Sequence, residues 1–309
     1  MGKITAMNQI ACIILNYRDA KSAIKAAESV LASHGVKPKV YIVDNASNDG
    51  SIEVLEQQNQ GRFEVIKSAV NGGYAAGMNL GIKTALEQGA QYFWLLTQDI
   101  TVEPDSLNHL FDLWPRLATP GLLGSLTDFN ATDKLYFFRS FIENGHVRHR
   151  TKGRSIGDIP ELKNEFGPTD YVNGACVFTH RSVIEKIGLI PEDYFMYFED
   201  SDWGLAAQRA GFNNYVCYRS RVHHWRRLDE FNGNAEYFCR RNSYLFRKRN
   251  GFAKPWSKAL EVLRLKKLYW KTRLKLAMGS KKQNLKLLAP ILSEVAHDLK
   301  RERFGPRGN

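Results

Sequence analysis

Three groups of residues in this 309-residue chain have the types and spacing that chemistry needs. In Glu199-Asp200-Ser201-Asp202-Trp203, three carboxylates stand close together beside Tyr194, Phe195, Tyr197 and Phe198. Like charges this near raise one another's pKa, and aromatic surroundings add to the effect by stripping water from the ionised form. A carboxylate tuned in that way suits removal of a proton from a hydroxyl. The same acids would also serve the first turn of a helix, at the positive end of its dipole. The second group is Asp99, which ends an apolar run, with His223-His224, which end another. Asp99 is either a turn former or a hard oxygen ligand for Mg2+ or Mn2+, ions that take one or two carboxylates and share substrate phosphates. Such a metal neutralises charge growing on a diphosphate leaving group. Strand alternation puts His224 on one face with Ser220 and Val222, and His223 on the other with Arg221. One histidine could therefore join Asp99 as a metal ligand, and a purely structural histidine is the plainer use. The third group is the glycine-rich stretch from Asn71 to Gly77, where backbone can approach a ligand closely. It lacks G-x-G-x-x-G, and no Gly-Lys-Ser/Thr follows, so it is neither a dinucleotide fingerprint nor a P-loop.

The elements that must position these groups are legible as periodicity. Residues 10–15, 39–43, 63–67 and 92–96 are apolar runs of the kind buried on both faces of a parallel sheet. Helical patterns fill 19–33 and 51–58, and a third helix opens at the glycine stretch and runs to 85. This alternation predicts an α/β fold with a mostly parallel central sheet flanked by helices. Ligands in such sheets sit beyond the carboxyl ends of the strands, and those ends carry Asn16-Tyr17, Asp44-Asn45 and Gln98-Asp99. Residues 127–167 read as loops and short strands beside the cleft, 171–179 as a strand, 181–187 as a short helix, 201–209 as a helix and 215–222 as a strand. Past 230 the composition changes, and 237–249, 258–278 and 283–300 read as helices with Lys and Arg among Leu, Trp and Tyr. The expected division is therefore 1–230 for the α/β part and 231–309 for a basic amphipathic helical region.

Charge and cysteine narrow the classes. Of a net charge of +12, residues 254–309 contribute +11, with fifteen Lys/Arg against four Asp/Glu. Such a block suits phospholipid, nucleic acid or a phosphorylated acceptor, or else a solvated helical face. Cys12, Cys176, Cys217 and Cys239 form no C-x-x-C pair, so neither a zinc site nor a redox motif is expected, and reduced intracellular thiols are. The first residues lack a signal peptide's long apolar region, and no stretch has about 18 uninterrupted apolar residues. The expectation is a cytoplasmic protein, peripheral on the inner face of the membrane.

Read together, these segments resemble glycosyltransferase family 2, whose fold is GT-A. The likeness lies in Ile13–Tyr17, in Val43-Asp44-Asn45-Ala46-Ser47-Asn48-Asp49-Gly50-Ser51, in Asn71–Gly77 with Asn79-Leu80-Gly81-Ile82, in Leu95–Asp99 at the place of the family's metal motif, and in Glu199-Asp200 with Asp202-Trp203. It covers residues 10–250 and implies that 1–126 binds the nucleotide-sugar and 127–230 holds acceptor and base. The resemblance implies an inverting, metal-dependent hexosyltransferase of cell-surface polysaccharide synthesis. It implies that Tyr17 and Asp44 contact the base of a nucleotide-diphosphate sugar, that Asn16, Asn45 and Ser47 shape that loop, and that Gly72, Gly73, Ala76 and Asn79 line the donor site. Gln98 would lie near the ribose. Asp99 would hold Mg2+ or Mn2+ with His224, His223 standing in reserve. Asp200 would be the base, Glu199 and Asp202 would orient it or grip the acceptor, and Trp203 would touch the acceptor. The usual D-x-D is here Thr97-Gln98-Asp99, so one of its acids is missing. That form and the closing segment 296–305 look most like bacterial rhamnosyltransferases, which implies a dTDP- or UDP-sugar donor and a glycan or polyprenyl-diphosphate-linked acceptor.

The basic region would then hold an anionic leaflet, with Trp256, Leu263, Leu265, Leu268, Tyr269 and Trp270 at the interface. A nucleotidyltransferase would need a basic glycine-rich signature straight after the first strand, where Asn16-Tyr17-Arg18-Asp19 stands instead. Nucleic-acid binding has no recognisable module in the first 250 residues and would face an acidic cluster in the cleft. The missing acid leaves a catalytically degenerate scaffold as the other reading.

Overall fold

The computed structural model describes residues 10–149, 153–225, 231–280 and 282–308. Strand β1, Ile10–Asn16, is buried along its whole length, which places it in the middle of the sheet. On its two sides it pairs in parallel with β2, Lys39–Asp44, and with β4, Tyr92–Thr97, while β3, Glu64–Lys67, is parallel to β2. The connecting helices are α1, Ala20–Leu31, α2, Ser51–Asn59, and α3, Gly73–Glu87. Alternation along β1 sends Cys12 and Ile14 to the face covered by Ala23, Ala27 and Val30 of α1. Ala11 and Ile13 go to the face covered by Met78, Ile82 and Ala85 of α3. Close approach of α3 to β1 depends on Gly81, where a Cβ would press on Ile13.

The second half of the sheet is mixed. It adds β5, Ile100–Val102, β6, Pro120–Phe129, β7, Leu135–Phe137, β10, Phe166–Pro168, β11, Cys176–His180, and β12, Asn213–His224, while β8, Ser140–Glu143, and β9, His146–His149, form a separate two-stranded hairpin. Helices α4, Ser106–Leu113, α5, Arg181–Ile187, and α6, Glu199–Arg209, lie between them. The order across the main sheet is β10-β12-β6-β11-β4-β1-β2-β3, with β5 on β12 and β7 on β6. β11 runs antiparallel to β4 in the register Cys176↔Leu96. The strand expected over 171–179 is confined to β11, because Asn173-Gly174 is a turn rather than part of a strand.

Helices α7, Gly233–Arg249, α8, Ser257–Ala277, and α9, Gln283–Arg301, follow. They enclose an apolar cluster of their own, including Tyr237, Phe238, Leu265, Leu292 and Val295, against which Phe195, Met196 and Tyr197 also pack. Helix α7 starts four residues earlier than the apolar pattern suggests, because the Asn232 side chain caps it on Ala235 N. Among the described residues no helix is long and apolar enough to cross a membrane. The division expected at residue 230 and the first nine residues of the signal-peptide reading fall outside the described residues.

Gly73 opens α3 at φ +83°, and a Cβ there would run into the Phe195 carbonyl oxygen. Gly73→Ala is expected to cost about 2–4 kcal/mol in urea unfolding. An unchanged midpoint would mean that the glycine helix and the 195 turn do not touch.

Candidate active site

The loops after β1 and β2 form one closed network. Asn16 Nδ2 donates to Asp44 Oδ1 at 2.7 Å, and Ser47 donates its hydroxyl to Asp44 Oδ1 at 2.5 Å and its N–H to Oδ2 at 3.0 Å. Ser47 Oγ in turn accepts Arg18 N–H at 2.9 Å. Asn16, Asp44 and Ser47 are fully buried. The expected direct contact between Asp44 and a base is therefore corrected: both carboxylate oxygens are spent on the turn. What the turn presents to solvent is Tyr17, with the Arg18 guanidinium 5.1 Å above its ring. Gln98 grips the Tyr17 backbone from both sides, accepting its N–H at 2.5 Å and donating to its carbonyl at 3.2 Å.

Asn45 performs the same bracing for the glycine stretch. Its amide donates to Asn71 Oδ1 at 3.0 Å and Gly73 O at 2.9 Å, and its oxygen accepts Gly72 N–H at 3.3 Å. Gly72 and Ala76 are half-buried and Gly73 is buried. Asn79 is not available to line a donor pocket. It is buried and exchanges two hydrogen bonds with the Ile190 backbone, at 2.8 and 3.0 Å, and one with Glu192 at 2.8 Å.

Asp99 accepts the Thr97 hydroxyl at 2.6 Å, and its other oxygen lies 3.5 Å from His224 Nε2. His224 stacks on Tyr136 with ring centroids 4.1 Å apart. His223 points to the opposite face, as alternation requires, where its Nδ1 sits 2.9 Å from Asp128 and its Nε2 3.8 Å from Glu103. It is thus removed from the metal candidates. Among the described residues no group of three or more His, Cys, Asp and Glu could hold a metal. The pair Asp99 and His224 offers one oxygen and one imidazole nitrogen on a partly exposed carboxylate, which fits a divalent ion that draws its other ligands from a diphosphate and water.

The acid cluster is delivered by an unusual turn. Phe195, Tyr197 and Phe198 all have left-handed backbones, at φ +66°, +68° and +77°. Each such aromatic residue costs about 1–3 kcal/mol. The turn is held by α7: the Asn242 amide donates to the carbonyls of Tyr194, Met196 and Tyr197 at 2.8, 2.8 and 3.0 Å. Arg241 reaches the Tyr194 and Gly305 carbonyls at 3.2 and 2.7 Å. Helix α6 then begins at Glu199, two residues before its expected start. Asp200 accepts N–H from Gly174 at 3.1 Å and from Ser201 at 2.7 Å, with the Ser201 hydroxyl at 3.2 Å.

Burial, and next the neighbouring Asp200, push the Glu199 carboxyl well above the carboxylate range; its Oε2 has no hydrogen-bond partner. Burial also raises Asp200, against the pull of its donors. The first negative charge of the pair therefore goes to Asp200. Asp202 is committed to structure, accepting Tyr194 Oη at 3.0 Å and Asn250 Nδ2 at 2.7 Å, with Arg249 Nε 3.1 Å away. Trp203 is corrected outright as an acceptor contact: it is buried in the core, and its indole donates to Gly188 O at 3.0 Å.

The groups meet at one backbone segment. Ala175 O accepts Thr97 N–H at 3.2 Å, Gly174 N–H binds Asp200, and Gly174 O accepts Tyr74 Oη at 2.5 Å. Tyr74 N–H also binds Phe195 O at 2.7 Å. Asp99 and Asp200 thus lie at the same end of the sheet, linked through Thr97, Ala175 and Gly174. The sequence reading missed Thr97, Tyr74, Gly174, Arg241 and Asn242. Only Asn173-Gly174 carried a local signal, as a turn dipeptide.

Residues 11–188 match the family model described as Glycosyl transferase family 2. The chain is 26% identical over 219 residues to the low-salt glycan biosynthesis hexosyltransferase Agl10 of Haloferax volcanii, an alignment covering 69% of this chain and 66% of that protein. The chain thus spans slightly less than two thirds of that relative's length. Among solved structures it resembles GalNAc-T7 with UDP, GalNAc and Mn2+ (TM-score 0.61, 13% identity, 96% of this chain and 58% of that one). It also resembles the mannosyltransferase PcManGT from Pyrobaculum calidifontis in complex with GDP-Man and Mn2+ (TM-score 0.57, 13% identity, 96% and 86%). At such identities these two likenesses concern the fold.

Folding raises both acids, so the protonated forms are the ones the fold favours. Their contribution is present at low pH and is lost as pH rises through the folded-state values. Glu199→Gln, which cannot ionise, is expected to lose less thermal stability than the parent as pH is raised above the carboxylate range; parallel Tm profiles would overturn this assignment. Asn242→Leu removes all three of its hydrogen bonds to the turn and is expected to cost about 2–4 kcal/mol in urea unfolding.

Proposed function

The chain belongs to glycosyltransferase family 2 and has the GT-A fold, and on that premise we propose that it is an inverting hexosyltransferase that moves a sugar from a nucleoside-diphosphate donor to a hydroxyl of a glycan or polyprenyl-diphosphate-linked acceptor. The observation that carries this reading is the shared sheet end: a partly exposed Asp99 beside His224, and a half-buried Asp200 joined to it through Gly174 and Ala175. A leaving group and a base are needed on either side of one sugar carbon, and Asp99 and Asp200 at one end of the sheet support that reading.

Asp99 and His224 would hold Mg2+ or Mn2+, which when bound offsets charge on the diphosphate. The structural neighbours solved with UDP or GDP-Man and Mn2+ support both donor class and ion. Tyr17 and Arg18 form the exposed mouth for the base, with Asn16, Asp44, Asn45 and Ser47 as its frame. Asp200 takes the proton of the acceptor hydroxyl. Three hydrogen bonds fix its carboxylate, and the raised Glu199 stays protonated beside it, which spares Asp200 a second charge. A single carboxylate acting as base fits one in-line displacement, hence inversion.

The missing acid of the metal motif does not favour a scaffold. Gln98 both donates to and accepts from Tyr17, a pairing that an ionised aspartate cannot make. The Gln98-Asp99 form supports a rhamnosyltransferase-like donor, a dTDP- or UDP-sugar. The basic helices 231–309 support work at the cytoplasmic face of a membrane, as part of polysaccharide synthesis, with 1–230 as the transferase part.

Asp200→Asn is expected to lower kcat by about 10²–10⁴ while nucleotide binding persists. Asp99→Ala is expected to abolish the metal-dependent rise in Tm that UDP or dTDP gives the parent. Full turnover in both variants would sink the proposal.

A further inference from the structure

Helix α8 is apolar on two opposite faces. Its inner face, with Leu265, Leu268 and Tyr269, belongs to the cluster shared with α7 and α9. That removes these three from the membrane contacts expected from sequence. Its outer face carries Trp256, Leu260, Leu263, Trp270, Leu274 and Met278, each between 57% and 77% exposed. At 100° per residue these six side chains fall within an arc of about 80°, nearly opposite the buried face. Exposed Lys266 and Arg273 border the arc on one side, exposed Arg264, Lys271 and Lys275 on the other, and Lys267 lies within it. Among the described residues none of these six cations forms an ion pair with a carboxylate.

An apolar stripe of this size on the outside of a soluble protein marks a contact surface. Its flanks decide the occupant. A second copy of the chain would bring twelve unpaired cations to one seam, whereas a bilayer with anionic headgroups accepts the apolar stripe and neutralises both flanks. Trp256 stands at one end of the stripe and Trp270 within it, and indole suits the level between headgroups and acyl chains. The 21 residues of α8 span about 31 Å, and no helix among the described residues is apolar enough to cross, so the helix lies in the plane of the surface. We propose that the outer face of α8 docks the protein on an anionic lipid bilayer, with the Trp256–Met278 stripe inserted at the headgroup boundary and the flanking lysines and arginines on lipid phosphates. This gives the lipid-surface part of the function above its residues and rests on it. Because α8 packs on α9, α9 on α7, and α7 on the 195–198 turn, docking also sets the orientation of the acids relative to the membrane.

The test is sedimentation of the full chain with phosphatidylcholine vesicles, with and without phosphatidylglycerol. The parent is expected to pellet only with phosphatidylglycerol. Leu263→Ser/Trp270→Ser/Leu274→Ser and, separately, Lys266→Glu/Lys267→Glu/Lys271→Glu are each expected to weaken partitioning by at least about 10-fold. Both variants should keep the parent's Tm and its response to nucleotide with metal, since all six positions are exposed. A parent that stays in the supernatant, variants that pellet like the parent, or a parent dimer that the serine variant splits without any vesicle binding would each overturn the docking face. Loss of the parent's nucleotide response with vesicle binding intact would instead overturn the enzyme reading and leave the docking face standing.

Discussion

Two consecutive backbone groups hold the candidate site together: the N–H of Gly174 on the Asp200 carboxylate and the carbonyl of Ala175 on the N–H of Thr97. Buried backbone groups have to be paired, so the position of this turn follows from the antiparallel register of β11 on β4 rather than from any property of the acids. Asp99, two residues beyond Thr97, and Asp200, on a different helix, are then set relative to each other by strand pairing. A shift of one residue in that register would turn Cys176 and Leu96 to the wrong faces of the sheet. The core therefore protects the geometry of the site.

The second constraint is strain. Three aromatic residues in left-handed conformations bring the chain abruptly into α6, so that Glu199 begins the helix buried and Asp200 half-buried beside it. The unfavourable backbone is offset by Asn242 and Arg241, which together place four donated hydrogen bonds on the turn. Helix α7 is thus part of the acid site as well as the base on which α9 packs. Burial that raises both acids would be destabilising in a plain structural element, and here it coincides with the group proposed as the base.

Fold class and strand ends were legible because they are local: continuous apolar runs, turn residues after them, and an alternation that separates His224 from His223. Strand β6 was not read, since Gly124 and Ser125 interrupt its apolar run while both are buried. The partners of Asp44, Asn79 and Asp202 were not legible for one reason. Polar residues near a site look like ligand contacts until their partners, 3 to 113 residues away, are seen to occupy them. Trp203 follows Asp202 in the motif, yet a helix turns 100° per residue, which carries its ring into the core. Asn242 had no local signal at all, because its three acceptors lie 45 to 48 residues earlier.

That separation bears on how the protein comes into being at the ribosome. The strands through β12 can pair once residue 224 has emerged, yet the turn ahead of α6 still lacks Asn242, Arg241 and the Gly305 carbonyl that Arg241 also binds. A nascent chain at that stage can own a finished sheet and an unclamped acid helix. Competence for the proposed transfer would thus arrive only with the last helices, after the loops behind β1 and β2 are in place, and a chain interrupted before them would be folded and silent.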